Sequence, residues 1–401
     1  KNVPELRFPG FEGEWEEKKL GNLTTKIGSG KTPKGGSENY TNKGIPFLRS
    51  QNIRNGKLNL NDLVYISKDI DDEMKNSRTY YGDVLLNITG ASIGRTAINS
   101  IVETHANLNQ HVCIIRLKKE YYYNFFGQYL LSRKGKRKIF LAQSGGSREG
   151  LNFKEIANLK IFTPTIFEEQ QKIGQFFSKL DQQIELEEQK LELLQQQKKG
   201  YMQKIFSQEL RFKDENGEDY PDWENSKIEK YLKERNERSD KGQMLSVTIN
   251  SGIIKFSELD RKDNSSKDKS NYKVVRKNDI AYNSMRMWQG ASGKSNYNGI
   301  VSPAYTVLYP TQNTSSLFIG YKFKTHRMIH KFKINSQGLT SDTWNLKYKQ
   351  LKNINIDIPV LEEQEKIGDF FKKMDILISK QKMKIEILEK EKQSFLQKMF
   401  L

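Results

Sequence analysis

A single cysteine, Cys113, stands among 401 residues, so no internal disulfide staples this chain, and a reducing, cytoplasmic setting is expected. It sits in the apolar run "HVCIIRL" and reads as a buried strand residue. No apolar run approaches the roughly 18 residues of a membrane span, and no basic-then-apolar leader opens the sequence; neither insertion nor secretion is expected. Acidic residues are the scarcer charge, 49 against 67 Lys and Arg, which leaves a formal net charge of +18. Such a surplus predicts attraction to a polyanion, and with membranes set aside nucleic acid is the leading class. At about 100 to 200 residues per domain, the length allows two or three domains with real cores.

Catalytic signatures are missing as well. "GSGKT" (Gly28 to Thr32) resembles a phosphate loop, but Thr25 stands where the pattern needs its first glycine and Pro33 follows where a helix should start. "GASGKS" (Gly290 to Ser295) fails likewise, with Trp288 in the required glycine position. His326 and His330 have the one-turn spacing of a metal pair, yet no third ligand is evident and a basic helix face explains them better. No nuclease-like carboxylate cluster stands out. The chain is therefore expected not to be an enzyme by itself, and no catalytic or metal-binding residue is assigned.

What the chain has in quantity is repetition. Glu168 to Ser207 aligns without gaps on Glu362 to Leu401, with 18 of 40 positions identical, beginning "EEQQKIGQFFSKLD" and "EEQEKIGDFFKKMD". Weaker echoes flank these stretches: "PELRF" (Pro4 to Phe8) and "QELRF" (Gln208 to Phe212), the segments around Trp15 and Trp223, "GDVLLN" (Gly82 to Asn87) and "NDIAYN" (Asn278 to Asn283). "FFGQYLLSRKGKRKIF" and "FIGYKFKTHRMIHKFK" align as basic amphipathic helices, with His326 and His330 opposite Arg133 and Arg137. The order is globular unit, helix, globular unit, helix. Short β-branched and aromatic runs broken by Gly, Asn and Asp, mixed with helical stretches, make the units α+β. The boundaries read as 1–165, 166–210, 211–360 and 361–401.

In both helices apolar residues recur at alternating steps of four and three. The first series is Ile173, Phe177, Leu180, Ile184, Leu191, Leu194, Tyr201 and Ile205, interrupted at Glu187 and Lys198; the second is Ile367, Phe371, Met374, Ile378, Ile385, Leu388, Phe395 and Met399, interrupted at Gln381 and Lys392. A 3.5-residue period held over about 33 residues, roughly 48 Å, with polar flanks, is a coiled-coil seam rather than a core-facing stripe. The two helices are expected to pair antiparallel in a pseudo-two-fold repeat. The first runs on into "QELRF" whereas the second ends at Leu401, so the chain start supplies the equivalent continuation, which places Lys1 and Leu401 near one another.

With its duplicated helix starts, preceded by "IFTPTIF" and "IDIPVL", and its phrases "GIPFLRSQNI", "NQHVCIIRL" and "GIVSPAYTVLYP", the chain resembles the DNA specificity subunit of type I restriction-modification systems. The resemblance covers essentially all of it. It implies two target-recognition domains separated by antiparallel coiled-coil helices, reading a bipartite, asymmetric target in double-stranded DNA. It also implies partners that do the chemistry: two methyltransferase subunits and two restriction and translocase subunits. S-adenosylmethionine, ATP and Mg are then expected on those partners and no cofactor on this chain. The adenine methyltransferase motif Asn-Pro-Pro-aromatic is absent. Base readers should come from loops that offer paired donors and acceptors. These are Arg49, Gln51, Asn52, Arg54, Thr89, Ser92, Arg95, Ser147 and Arg148 in the first unit, and Arg286, Trp288, Gln289, Ser292, Lys294, Thr340 and Ser341 in the second. The rival reading is an architectural protein that binds DNA without sequence preference through the same coiled coil and charge.

Overall fold

A computed structural model describes residues 2–143, 150–260 and 262–401. Two compact units emerge: Lys1–Gln189 with Met383–Leu401, and Lys190–Lys382. Each contains α+β structure and opposing segments of two long helices, the central helix Phe167–Phe206 and the C-terminal helix Leu361–Lys398. No helix among the described residues is long and apolar enough to cross a membrane.

The first unit is built on an antiparallel sheet in the order Thr24–Ser29, Val112–Leu117, Val84–Asn87, Thr96–Ile98. A second four-stranded sheet orders Val64–Ile66, Ile45–Leu48, Ala106–Leu108, Arg78–Thr79, with one parallel pairing, Ile45–Leu48 beside Ala106–Leu108. Cys113 is fully buried in the central sheet, and desolvation pushes its thiol up to about 12, which leaves it unreactive. "GSGKT" begins inside a strand, Gly28 pairing with Ile114 and Ser29 with Cys113, so its backbone amides belong to a sheet rather than to a phosphate cradle.

The second unit repeats the main sheet as Leu232–Glu234, Tyr305–Pro310, Ile280–Asn283, Ser292–Lys294. The duplicated phrases "GDVLLN" and "NDIAYN" are its central strand in both units. Gly82 and Asn278 take positive φ, 87° and 75°, as the turn into that strand requires. The aspartate after each is buried and clamped by an arginine: Asp83 by Arg116 at 2.8 Å, Asp279 by Arg235 at 2.6 Å. Where the first unit has its parallel-containing sheet, the second has separate two-stranded pieces, Leu245–Thr248 with Gly252–Lys255 and Lys273–Val275 with Gly299–Val301. Common scaffold and differing surface are thus separate parts of the chain.

The helix pairing is antiparallel in each unit. In the first, Phe176 meets Phe395 at 5.0 Å, Asp181 meets Lys392 at 2.5 Å, and Glu187 meets Lys384 at 2.7 Å. In the second, Lys198 meets Asp375 at 2.6 Å and Tyr201 meets Phe370 at 5.2 Å. The charged interruptions of the seam, Glu187, Lys198 and Lys392, are therefore ion-paired: Glu187 is 5 % exposed and charge-matched, so it keeps register rather than breaking the helix. Ile173, Phe177, Ile184, Ile205, Ile367, Phe371, Met374, Ile378, Ile385, Leu388 and Met399 are buried; Leu180, Leu191, Leu194 and Phe395 are half-buried, and Tyr201 is exposed.

The helix ends also build the domain cores, which the seam pattern did not show. Phe400 stacks on Phe177 (5.7 Å, 21°) within a cluster containing Trp15, Phe125 and Tyr129. Phe206 stacks on Phe371 (5.7 Å, 13°) within a cluster containing Phe318 and Met328. The chain start behaves as the repeat requires: the Leu6 amide donates to the Lys398 carbonyl at 3.0 Å, and the equivalent Leu210 amide donates to Lys204 at 3.1 Å. Lys1 lies outside the described residues, but Phe8 and Leu401 pack against the same core.

One buried charge in the second core has a readable consequence. Lys322 is 3 % exposed, its ammonium 5.0 Å from the Trp223 ring and 5.5 Å from Phe206. Burial lowers it from 10.5 to about 8, partly offset by Asp357. Between about pH 8 and pH 10.5 the unfolded chain therefore binds more protons at this group than the folded one, so this contribution to stability rises with pH across that window. Below it the desolvation cost is on the order of 3 kcal/mol, offset by cation–π attraction of about 2 kcal/mol. Lys322→Met should stabilise the second unit by about 1 kcal/mol at pH 7 and flatten the alkaline rise, as read by urea unfolding at a series of pH values; an unchanged pH profile would contradict the assignment.

Candidate nucleic-acid interface

In the first unit the loops with donor-acceptor side chains leave the ends of the central strands. The short turn Ser50–Asn52 follows Ile45–Leu48, and Gly90–Ser92 follows Val84–Asn87. The two are joined by a residue that sequence reasoning passed over. Asn87, fully buried, donates from Nδ2 to the Ser50 carbonyl at 3.0 Å and to Ser92 Oγ at 3.1 Å. It ends the first "GDVLLN" phrase, and the Asn283 side chain ends "NDIAYN" by accepting from the Met285 amide at 3.1 Å. The repeated terminal asparagine was the available signal: a polar residue closing an apolar strand twice marks the strand-to-loop hinge.

Arg49 lies against Asp62, donating from Nη2 to its carbonyl at 2.9 Å, with the guanidinium 5.6 Å from the Tyr40 ring. Gln51 donates to the Asp62 carboxylate. Asn52 is fully buried: its Oδ1 accepts from the Arg49 amide at 2.8 Å, and Nδ2 donates to the carbonyls of Asn59 and Asp62. Its hydrogen-bonding capacity is committed to shaping the loop, so it leaves the set of candidate base contacts. Arg54 is exposed on the hairpin Ile53–Arg54 with Lys57–Leu58. Thr89 Oγ1 lies 2.5 Å from His111 Nδ1. Arg95 is half-buried and its guanidinium has no hydrogen-bond partner among the described residues. Ser147 and Arg148 lie outside the described residues.

The second unit brings Arg286, Trp288, Gln289, Thr340 and Ser341 together through an aromatic pair, which does not involve Ser292 or Lys294. Trp288 meets Trp344 edge to face (5.2 Å, 76°) and donates from Nε1 to the Met285 carbonyl at 3.1 Å. That contact joins the Arg286–Gln289 turn to the segment carrying Thr340 and Ser341. Arg286 is exposed and donates to Gln289 Oε1 at 3.2 Å. Lys294 is half-buried, donates to Asn278 Oδ1 at 3.3 Å and Asn296 Oδ1 at 2.9 Å, and is lowered by burial. Thr340 is exposed but engaged in a reciprocal cap with Thr343; Ser341 is exposed. Ser292 is 1 % exposed on a sheet strand, so its hydroxyl is out of reach of a duplex and it too leaves the set. Lys324, which no motif marked, donates to the carbonyls of Gly290 and Ile249 and is lowered by burial to about 8. It pins the Arg286–Gly290 turn against the hairpin Leu245–Thr248 with Gly252–Lys255.

The arrangement offers guanidinium, amide and hydroxyl groups on short, well-anchored turns that follow Ile45–Leu48, Val84–Asn87 and Ile280–Asn283, whereas Lys294 pairs with Ile280 at the opposite end of that last strand. Such groups suit phosphates and base edges. Among the described residues no group of three or more His, Cys, Asp or Glu is placed to hold a metal ion.

Comparison with known proteins agrees with this architecture. The family model of the type I restriction modification DNA specificity domain matches twice, over residues 12–196 and 220–390. A putative type I restriction enzyme MjaX specificity subunit of Methanocaldococcus jannaschii is 27 % identical over 231 residues, 55 % of this chain and 53 % of that protein. The Type I restriction enzyme EcoBI specificity subunit of Escherichia coli is 31 % identical over 144 residues, 34 % of this chain and 30 % of that protein. The chain thus spans about half the length, or less, of these relatives in the matched regions. In fold, the crystal structure of the S subunit of a type I system from M. genitalium superposes with a TM-score of 0.61 over 100 % of this chain and 99 % of that one, at 14 % identity. A chain from a structure describing assembly and conformational transition of the type I R-M system superposes at 0.54, covering 98 % and 97 %, at 15 % identity. With two matches spanning most of its residues, the chain belongs to the type I restriction modification DNA specificity domain family.

Proposed function

We propose that this chain is the sequence-specific DNA-recognition subunit of a type I restriction-modification complex, noncatalytic on its own. Each α+β unit reads one half of a split target, and the paired helices set the separation of the halves. One observation carries the reading: a scaffold duplicated down to individual hydrogen bonds presents two unlike sets of loops. A duplicated binder of uniform backbone has no need for unlike loops, whereas a reader of an asymmetric bipartite site does. The +18 charge supplies phosphate attraction, and the Arg, Gln and Thr groups on the turns supply base readout. Methyltransferase subunits, which use S-adenosylmethionine, and restriction subunits, which use ATP and Mg, are the proposed partners; the polar outer faces of the helices offer them a docking zone.

Competition binding over a series of salt concentrations tests this. The expected result is one preferred bipartite sequence bound at least about 10³-fold more tightly than random DNA. Binding that falls steeply with salt and shows no preferred sequence would instead identify an architectural protein. Incubation of the purified chain with Mg²⁺ and supercoiled DNA should leave the DNA uncut; cleavage would overturn the noncatalytic assignment.

A further inference from the structure

Leu339 is 102 % exposed, on a segment otherwise tied down. On either side of it Gln337 and Asn345 form a backbone bridge, with bonds of 2.9 and 2.8 Å. Thr340 and Thr343 close a reciprocal cap, the Thr343 amide donating to the Thr340 carbonyl at 2.9 Å. Gly338 has φ +151°, and a Cβ there would lie 2.6 Å from the Thr343 carbonyl oxygen, so only glycine lets the loop close this tightly. At its base Trp344 meets Trp288 edge to face, with the Lys333 ammonium 5.9 Å from the Trp344 ring. An anchored loop thus holds a large apolar side chain wholly in water, where it gains none of the burial energy its type gains elsewhere in the fold.

Resting on the DNA-reading function proposed above, we infer that Leu339 is an apolar wedge that enters the base stack of the half-site read by the second unit and unstacks one step. Apolar side chains used this way trade stacking for a deformed duplex that fits the protein surface, and so read sequence through the ease of unstacking. A wedge must be sandwiched between two base-pair planes, which demands a side chain unsupported on every face; contact with a thymine methyl needs only one free face. Leu339 meets the stricter requirement. Exposed Ser341 stands two residues along, and the Trp288–Trp344 contact ties the base of this loop to the turn that carries Arg286.

The test uses the full chain and duplexes carrying its selected target, with 2-aminopurine placed in turn at each position of the half-site read by the second unit. With the unchanged chain, emission should rise several-fold at one step. Leu339→Ala should return it to the free-duplex level and weaken target binding by about tenfold, while binding to random DNA changes less than twofold; Leu339→Met should restore the signal. Silent emission at every position, with tight target binding intact, overturns the wedge alone. Lost discrimination at a single thymine without any emission change identifies a methyl contact and also overturns it. A chain with no preferred sequence would overturn the specificity reading and the wedge together. Because Leu339 touches no core, circular dichroism of the variants should match the unchanged chain.

Discussion

Arg7→Ala should destabilise the first unit by about 3–5 kcal/mol, the range expected when one partner of a buried ion pair is removed and the other is left uncompensated. Glu169 is 1 % exposed. Arg7 grips it with two bonds, Nε to Oε1 at 2.7 Å and Nη2 to Oε2 at 2.8 Å, and Trp15 Nε1 adds a longer contact of 3.4 Å. The carboxylate's bond is also the largest influence on Arg7, raising it above its ordinary value. Without the guanidinium, the buried carboxylate keeps only the long indole contact and the N-terminal dipole of its helix. Adding Glu169→Gln to Arg7→Ala should recover part of the loss, because the neutral amide carries no uncompensated charge. The second unit repeats the device with Arg211 on Glu363 (3.1 and 2.7 Å) and Trp223 Nε1 at 3.3 Å, so Arg211→Ala should produce a loss of similar size there. Two units need not unfold together, so residue-level hydrogen exchange is the measurement. Each variant should lose protection mainly in its own unit, and losses below 1 kcal/mol would contradict the account.

Exchange of residues 211–360 for the same segment of a relative should replace one half of the DNA target completely and leave the other half untouched. Each mismatched base pair costs about 1–3 kcal/mol, so a half-site of a few pairs amounts to a preference change of roughly 10³-fold or more. The segment carries Arg211 and Trp223, whereas their acceptor Glu363 lies beyond it on the C-terminal helix. The donor relative must therefore supply Arg and Trp at those places, or the exchange will destabilise the unit and mask the readout. Binding-site selection, or methylome sequencing of a host carrying the chimera with the proposed methyltransferase partner, reads the result. A chimera that folds and keeps both original half-sites would contradict the modular assignment.

The duplicated "EEQ" at the start of each long helix shows how far local reading goes. Its repetition was visible, and it marked the helix starts. The reason for the residues was not visible, since their partners lie far away in the chain. The second glutamate anchors Arg7 or Arg211, and the glutamine closes the domain: Gln170 Oε1 accepts from the Tyr122 amide at 3.0 Å, and Gln364 Oε1 accepts from the Ser315 amide at 2.9 Å. Identical helix starts therefore record identical docking of helix on domain.

Period and repetition are local properties, and they were enough to establish the seam, the duplication, the α+β character and the adjacency of the chain start to the end of the last helix. A 3.5-residue spacing allows one face only, and a gapless repeat implies one packing used twice. Side-chain availability is not a local property. Asn52 and Ser292 look like readers in the sequence and are buried in the fold, while Asn87 and Lys324 look like scaffold and lysine-rich background yet hold the candidate reading turns in place. Which polar group meets solvent depends on which strands, far apart in the chain, close over it, and that is settled only when the sheets and helix ends assemble.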